Sequence, residues 1–282
     1  MLPLSSSPRL RALLISLAIV AALVLYAALS AEPVLRVSLA PDESPSTMRR
    51  KLKPLTDYLE KKIGMKIEFR PMADEDKLVE ALAANKLDIV WFSGFDFIQA
   101  RLRSHDQVIP IVQRAEDAQT QSIFITAHHD IQKIEDLKGK TFAFGSESST
   151  SGHLMPRAFL RAAHIDPEAD MKHVVYSGTP DAVVAAVADG EADAGVLSSM
   201  AWEKMVADGK VNPAVHVFYT TPGYYDFNWT VRADMDVNLR QKLTDAFLLL
   251  DGSIGQDKAI LELQHASKFI PADAGDYTAI EA

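Results

Sequence analysis

The sequence predicts an α/β protein of two lobes, each a mainly parallel sheet flanked by helices. Three observations lead there. Short β-rich runs alternate with helical patterns along almost the whole chain, the order that builds parallel sheets with crossover helices. The alternation is interrupted twice, by the turn-rich AHHDIQKIEDLKGK after a strand at Ser122–Thr126 and by TTPGYYD near 220–226. With 282 residues the chain can bury one large core or two medium ones. A chain that crosses twice between lobes leaves a cleft with a double hinge, suited to ligand capture by closure.

Strands are expected at Val34–Leu39, Lys66–Arg70, Leu87–Phe92, Val108–Gln113, Ser122–Thr126, Thr141–Phe144, His173–Tyr176, Ala192–Leu197, Val215–Tyr219 and Phe227–Arg232, where β-branched and aromatic residues cluster. Helical spacing of apolar residues predicts Ser46–Ile63, Asp74–Ala84, Phe95–Arg103, Thr150–Ala163, Asp181–Asp189, Ser199–Val206, Asn238–Leu250 and Asp257–Ala266. Pro54 is expected to kink or restart the first helix, and Gly64 and Gly190 stand just past helical patterns as stops. The resulting division is residues 1–31 as a leader, 32–120 with 226–282 as lobe 1, and 121–225 as lobe 2.

The leader reading rests on Arg9 and Arg11, an apolar stretch from Ala12 to Leu29, and small residues Ser30 and Ala31 before Glu32. An uncleaved anchor is the alternative, since a stretch of that length can just span a bilayer. Either form places the folded part outside the cytoplasm, in the periplasm. There is no cysteine, which excludes disulfides, thiolate metal sites, cysteine nucleophiles and a lipid-modified N-terminal cysteine. Residues 1–31 hold two arginines and no acid, so the remainder has 27 basic and 38 acidic residues, a net of −11. That balance argues against nucleic acid as a partner.

The run GSESSTSGHLMP (145–156) carries most of the functional information. Ser149, Thr150 and Ser151 fall where a strand turns into a helix N-terminus, where unpaired N–H groups and the helix dipole favour an anion without a lysine. Gly152 is read as allowing close approach of a ligand, and Pro156 is tolerated early in the helix. An ordinary Ser/Thr-capped helix is the alternative.

Together with KPLTDYLEKKIG (53–64), LDIVWFSG (87–94), IEDLKGKTFAFG (134–145), DGEADAG (189–195) and TTPGYYDFNWTVR (220–232), this run resembles the periplasmic phosphonate-type substrate-binding proteins of ABC importers. The nearest branch is labelled as selenate or phosphonate importer components. The resemblance covers nearly all of residues 33–282. It implies a two-lobed type II periplasmic binding fold, a small tetrahedral oxyanion in the cleft, and an inner-membrane ABC permease as partner to a monomer. Ser149, Thr150 and Ser151 match the family's hydroxyl trio, and Asp226 matches an acid that meets the ligand's protonated oxygen. Three positions depart from the family pattern: Glu75 and Thr120 stand where aromatics are usual, and Pro180 where histidine is usual. These departures bear on the ligand's organic substituent.

A carboxylate such as Asp226 repels an anion unless the ligand offers an O–H, which phosphite and phosphonates carry near neutral pH and selenate and sulfate do not. A turn residue bonding its own backbone is the other reading of Asp226. Glu75 opens a helix, where acids suit the dipole, or pairs with the amine of an aminoalkyl phosphonate. Ser93 and the Gly94 amide, with Tyr225 and its neighbour Tyr224, are further cleft candidates. Enzyme readings are weak: no serine sits in a G-x-S-x-G elbow, and Ser151 and His153 are two apart. His128-His129-Asp130 reads as a solvated turn rather than a metal site, and no cofactor is expected. A sensory protein serving a membrane histidine kinase is the rival function.

Protein recovered from the periplasm is expected to begin at Ala31 or Glu32 by intact mass; a membrane-bound form retaining Met1–Ser30 would establish the anchored alternative.

Overall fold

The computed structural model describes residues 33–41 and 44–281, so expectations for residues 1–31 lie outside it. Leu35–Ala282 forms one compact unit. In chain order it begins β1 (Val34–Leu39), α1 (Pro45–Ile63), β2 (Lys66–Phe69), α2 (Glu75–Ala83), β3 (Ile89–Phe92), α3 (Gly94–Ser104), β4 (Val108–Arg114). A second series follows: β5 (Ser122–Thr126), β6 (Thr141–Phe144), α4 (Met155–Ala162), α5 (Pro167–Asp170), β7 (His173–Tyr176), α6 (Pro180–Ala188), β8 (Ala194–Ser198), α7 (Ser199–Ala207), β9 (His216–Thr220). The chain then returns as β10 (Asn228–Arg232), α8 (Val237–Leu248), α9 (Gly255–Leu263), β11 (Phe269–Pro271) and α10 (Thr278–Glu281). Among the described residues no helix is long and apolar enough to cross a membrane.

Two mixed sheets result, with orders β11-β4-β10-β3-β1-β2 and β7-β6-β8-β5-β9. β1 pairs parallel with β3, and β6 parallel with β7 and β8. The strands that follow each crossing run the other way: β5 is antiparallel to β8 and β9, and β10 to β3 and β4. A strand entering a sheet from the side that faces the other sheet must run away from it, opposite to strands that end there. Each sheet is covered on both faces, which is why its strands read as near-continuous apolar runs. In β3, Ile89 packs with Leu55 and Phe247 in one cluster, while Val90 and Phe92 pack with Leu78, Phe97 and Tyr277 in another.

Local chemistry sets the element ends. Ser44 caps α1 by accepting from the Thr47 amide, Pro45 takes the first position, and Gly64 ends it with φ 73°. Thr179, Pro180 and Gly190 (φ 74°) do the same for α6. The helix does not restart at Pro54; α1 continues through it, held by Leu52, Leu55, Tyr58 and Leu59 in the core. The short β11 strand was not expected, because Phe269–Pro271 offers only three residues of pattern.

The two crossings lie side by side. Tyr224 N–H donates to Thr120 O (2.9 Å), Ser122 N–H to Thr221 Oγ1 (2.9 Å), and Asp226 N–H to Asp117 O (3.0 Å). At the exit of β4, Arg114 holds Asp117 through two bonds of 2.5 and 2.7 Å, and both residues are buried. Asp117→Ala, which strands a buried guanidinium, is expected to lower unfolding free energy by about 3–5 kcal/mol in urea titrations; a loss below about 1 kcal/mol would show that water supports Arg114 instead.

Candidate functional site

The crossings, the turn that opens α4 and the start of α7 together enclose a cavity of about 680 Å³. Thr120, Ser151, Ser198, Ser199 and Asp226 line it, along with Arg114 and Lys268. Those two bring positive charge to the wall, but Glu116, Asp117 and Glu203 line it as well, so acids outnumber bases around the cavity. Ser198 caps α7 by accepting from the Ala201 amide (3.2 Å), so that helix presents its positive end where Ser198 and Ser199 line the wall.

Asp226 is the centre of the arrangement. It is only 2% exposed and receives the Gly94 N–H at 3.2 Å. Its carboxyl is pushed up to about 7, first by burial and then by the charge of Asp117; the Gly94 amide, the Thr150 hydroxyl and the Arg114 guanidinium pull the other way. Burial likewise pushes Asp117 up, with Arg114 opposing. Asp226 is therefore no plain turn residue: near neutral pH it is poised to hold or release a proton. Gly94 is closely packed: a Cβ there would lie 3.3 Å from Asp226 O and 3.5 Å from Thr150 Cγ2, and would displace Ile280 Cδ1 at 2.3 Å.

The hydroxyl trio does not converge on one point. The chain from Thr150 to Leu154 forms a wide π-type turn, with Met155 N–H reaching back to Thr150 O. Ser149 Oγ caps it by accepting from Gly152 N–H (2.9 Å). Thr150 Oγ1 accepts from Phe95 N–H (3.0 Å), joining the second series of elements to the first. Ser151 lines the cavity, and its carbonyl accepts from Ser122 Oγ (2.8 Å), which also meets the Tyr224 hydroxyl (2.6 Å). Gly152 makes a close approach to Gly145: its carbonyl accepts from Gly145 N–H (2.8 Å), and a Cβ on it would stand 2.9 Å from Ser149 Oγ.

Behind this turn, His153 Nδ1 meets Glu147 O (2.7 Å) and Nε2 accepts from Arg157 Nε (2.9 Å). Burial lowers its pKa, so the ring is a neutral brace. Thr120 sits at the first crossing, buried, in a bridge with Tyr224. Three expected cleft residues stand elsewhere. Ser93 Oγ is engaged with Asp96 as the cap of α3. Tyr225 packs on Tyr277 (6.1 Å). Glu75 borders a separate cavity of about 430 Å³ with Asp76, Asp96 and Glu147; burial pushes Asp96 up to about 6, with Glu75 and Asp76 adding to it. Asp130 pairs with Lys140 (3.0 Å). Sequence reasoning missed Arg114 and Asp117, because QRAEDAQ reads as a polar surface turn and nothing in it signals burial, and it missed Ser122 and Ser199, which read as the ordinary first residues of a strand and a helix.

Residues 37–277 match the family described as "ABC transporter, phosphonate, periplasmic substrate-binding protein". The chain belongs to that family. It is 30% identical over 261 residues, 88% of each chain, to a probable ABC transporter phosphite binding protein, PhnD1, of Prochlorococcus marinus. It is 24% identical to the phosphonates-binding periplasmic protein of Escherichia coli, over 82% of this chain and 70% of that one. The structure of P. marinus PhnD1 in complex with methylphosphonate superposes with a TM-score of 0.78 at 31% identity, covering 88% of this chain and 96% of that one. The two-lobed fold expected from the sequence is thereby shown.

The separate placements of the trio give separable expectations. Ser149→Ala should lower the stability of the ligand-free protein by about 0.5–2 kcal/mol, the worth of a helix cap, with oxyanion affinity little changed. Ser151→Ala should leave the melting curve unchanged and weaken oxyanion binding by about 1–3 kcal/mol in calorimetry. Identical behaviour of the two variants would contradict this assignment.

Proposed function

We propose that this protein is the periplasmic solute-binding component of an ABC importer, a monomer that closes two lobes around a small phosphorus oxyanion, phosphite or a phosphonate, and delivers it to an inner-membrane permease. The lobes are residues 32–120 with 226–282, and 121–225, hinged at the paired crossings. The observation that carries the reading is Asp226: a buried carboxyl, bordering a cavity that also has Ser151, Arg114 and a helix N-terminus in its walls. A phosphorus oxyanion that keeps or can take up one proton fits such a group, because carboxyl and ligand then share it as a hydrogen bond. The relatives' names, phosphite and phosphonate binding, support the same class. Ser151, Thr120 and the α7 amides would hold the unprotonated oxygens, with Thr150 exchanging its contact with Phe95 for one to the ligand.

The shared proton fixes a sign. Asp226 has its pKa raised by the fold, so folding favours the protonated form, and stability falls as pH rises from the ordinary carboxyl range through about 7. Above about 7, with ligand and carboxyl both ionised, the complex must take up a proton. Phosphite affinity is then expected to fall by about tenfold per pH unit, reaching that limiting slope only above the pKa values of both groups. Asp226→Asn should remove the slope, measured by calorimetry at constant ionic strength. Wild-type phosphite affinity that is flat across this range would sink the shared-proton reading on which the phosphorus assignment rests.

A further inference from the structure

Beside the site cavity lies a second one of about 370 Å³, and the two share Arg114, Met200 and Phe227 as a common wall. Arg114 is a fixed part of that shared wall. Both oxygens of Asp117 clamp its guanidinium, Nη1 donates to Gln264 O (3.3 Å), and the group lies 5.1 Å over Trp91 and 5.4 Å over Phe227. Beyond Arg114 the lining turns mainly apolar and aromatic, with Leu39, Met48, Leu52, Trp91, Trp229 and Leu263; Lys51, Gln264 and His265 are its polar members. Trp91 stacks on Phe227, with centroids 5.6 Å apart and planes 12° from parallel, and leans on Trp229 at 5.4 Å. Met200, on α7, is the wall residue from the second series of elements, so the annex is complete only when both series stand together.

We infer that this annex receives the organic substituent of a phosphonate, apolar or aromatic in character, while the phosphorus oxygens stay at Asp226 and Ser151. The inference rests on the phosphorus-oxyanion reading above and extends it to a class of substrate. Phe227 follows Asp226 directly in the chain, so the shared wall begins one residue from the oxyanion seat. Phosphite has no apolar surface to place against two indoles, and a methyl group has little. A ring or short alkyl chain leaving phosphorus along Phe227 would bury its area against Trp91 and Leu52 and stack where the aromatic pair is already ordered. Closure over such a ligand would add Met200 to its contacts, coupling the tail to the closed form.

The test is a titration of phosphite, methylphosphonate and benzylphosphonate into the wild-type protein and into Leu263→Trp, which fills the annex from its half-exposed rim. Wild-type protein is expected to bind benzylphosphonate at least as tightly as methylphosphonate, with a change in tryptophan emission that methylphosphonate does not produce. Leu263→Trp should weaken benzylphosphonate by about tenfold while phosphite and methylphosphonate stay within about twofold. Leu39→Trp, entering from the opposite wall, should reproduce that selective loss. Methylphosphonate binding without benzylphosphonate binding would overturn the annex alone, as would two filled variants that leave the ratio of the two affinities unchanged. Failure of all three ligands in the wild-type protein would remove the phosphorus reading and the annex with it.

Discussion

Two buried carboxyls and one buried guanidinium, Asp117, Asp226 and Arg114, meet where the chain crosses between its sheets, and they cannot all be charged without leaving an uncompensated charge out of water. Arg114 is committed to Asp117 by a two-pronged contact, so Asp226 carries the surplus. Its raised pKa is the expression of that conflict. The Gly94 amide and the Thr150 hydroxyl only soften it, and the remaining discomfort is relieved by a proton, whether solvent or ligand brings it. A site that wants one shared proton is chemically different from one that merely wants negative charge.

Topology delivers these groups to one place. Asp117 follows β4 as the chain leaves the first sheet, and Asp226 precedes β10 as it returns, so two residues more than a hundred positions apart become neighbours through an antiparallel pair of crossings. The reversed direction of β5 and β10 is the geometric consequence of entering each sheet from the cleft side. The Thr150 turn belongs to the second sheet yet accepts from the Phe95 N–H of the first. One hydroxyl thus connects the elements that a ligand would have to draw together or replace.

Much of this was legible in the sequence. Alternating runs gave the sheets, and their ends fall within a residue or two of the structure. Ser149, Thr150 and Ser151 were placed correctly at a strand-to-helix turn, and Asp226 at the second crossing. Hydroxyl direction was not legible. A Ser-Thr-Ser run looks like a single feature, but a π-type turn sends one hydroxyl to its own backbone, one across the crossing and one to the cavity wall. Ser93 and Tyr225 misled for the opposite reason, since residues beside a cleft often face the core or cap the helix that borders it. Arg114 could not be foreseen, because an arginine in an acidic stretch is normally solvated.

The raised pKa of Asp226 also changes how selectivity has to be understood. As a permanently ionised group, Asp226 would exclude any fully ionised oxyanion at every pH. Below about 7, however, it carries its own proton and can donate to sulfate or selenate as readily as to phosphite. Discrimination by proton count therefore operates only where the carboxyl is ionised and the ligand still holds an O–H. For a protein whose residues 32–282 sum to −11, that restriction suits the rest of the electrostatics. The global field opposes anions of every kind, and the cavity wall repeats that balance, with Glu116, Asp117, Glu203 and Asp226 against Arg114 and Lys268; the α7 N-terminus is the local feature that favours an anion. What separates one tetrahedral oxyanion from another is then left to a single proton and to the shape of the cavity beyond it.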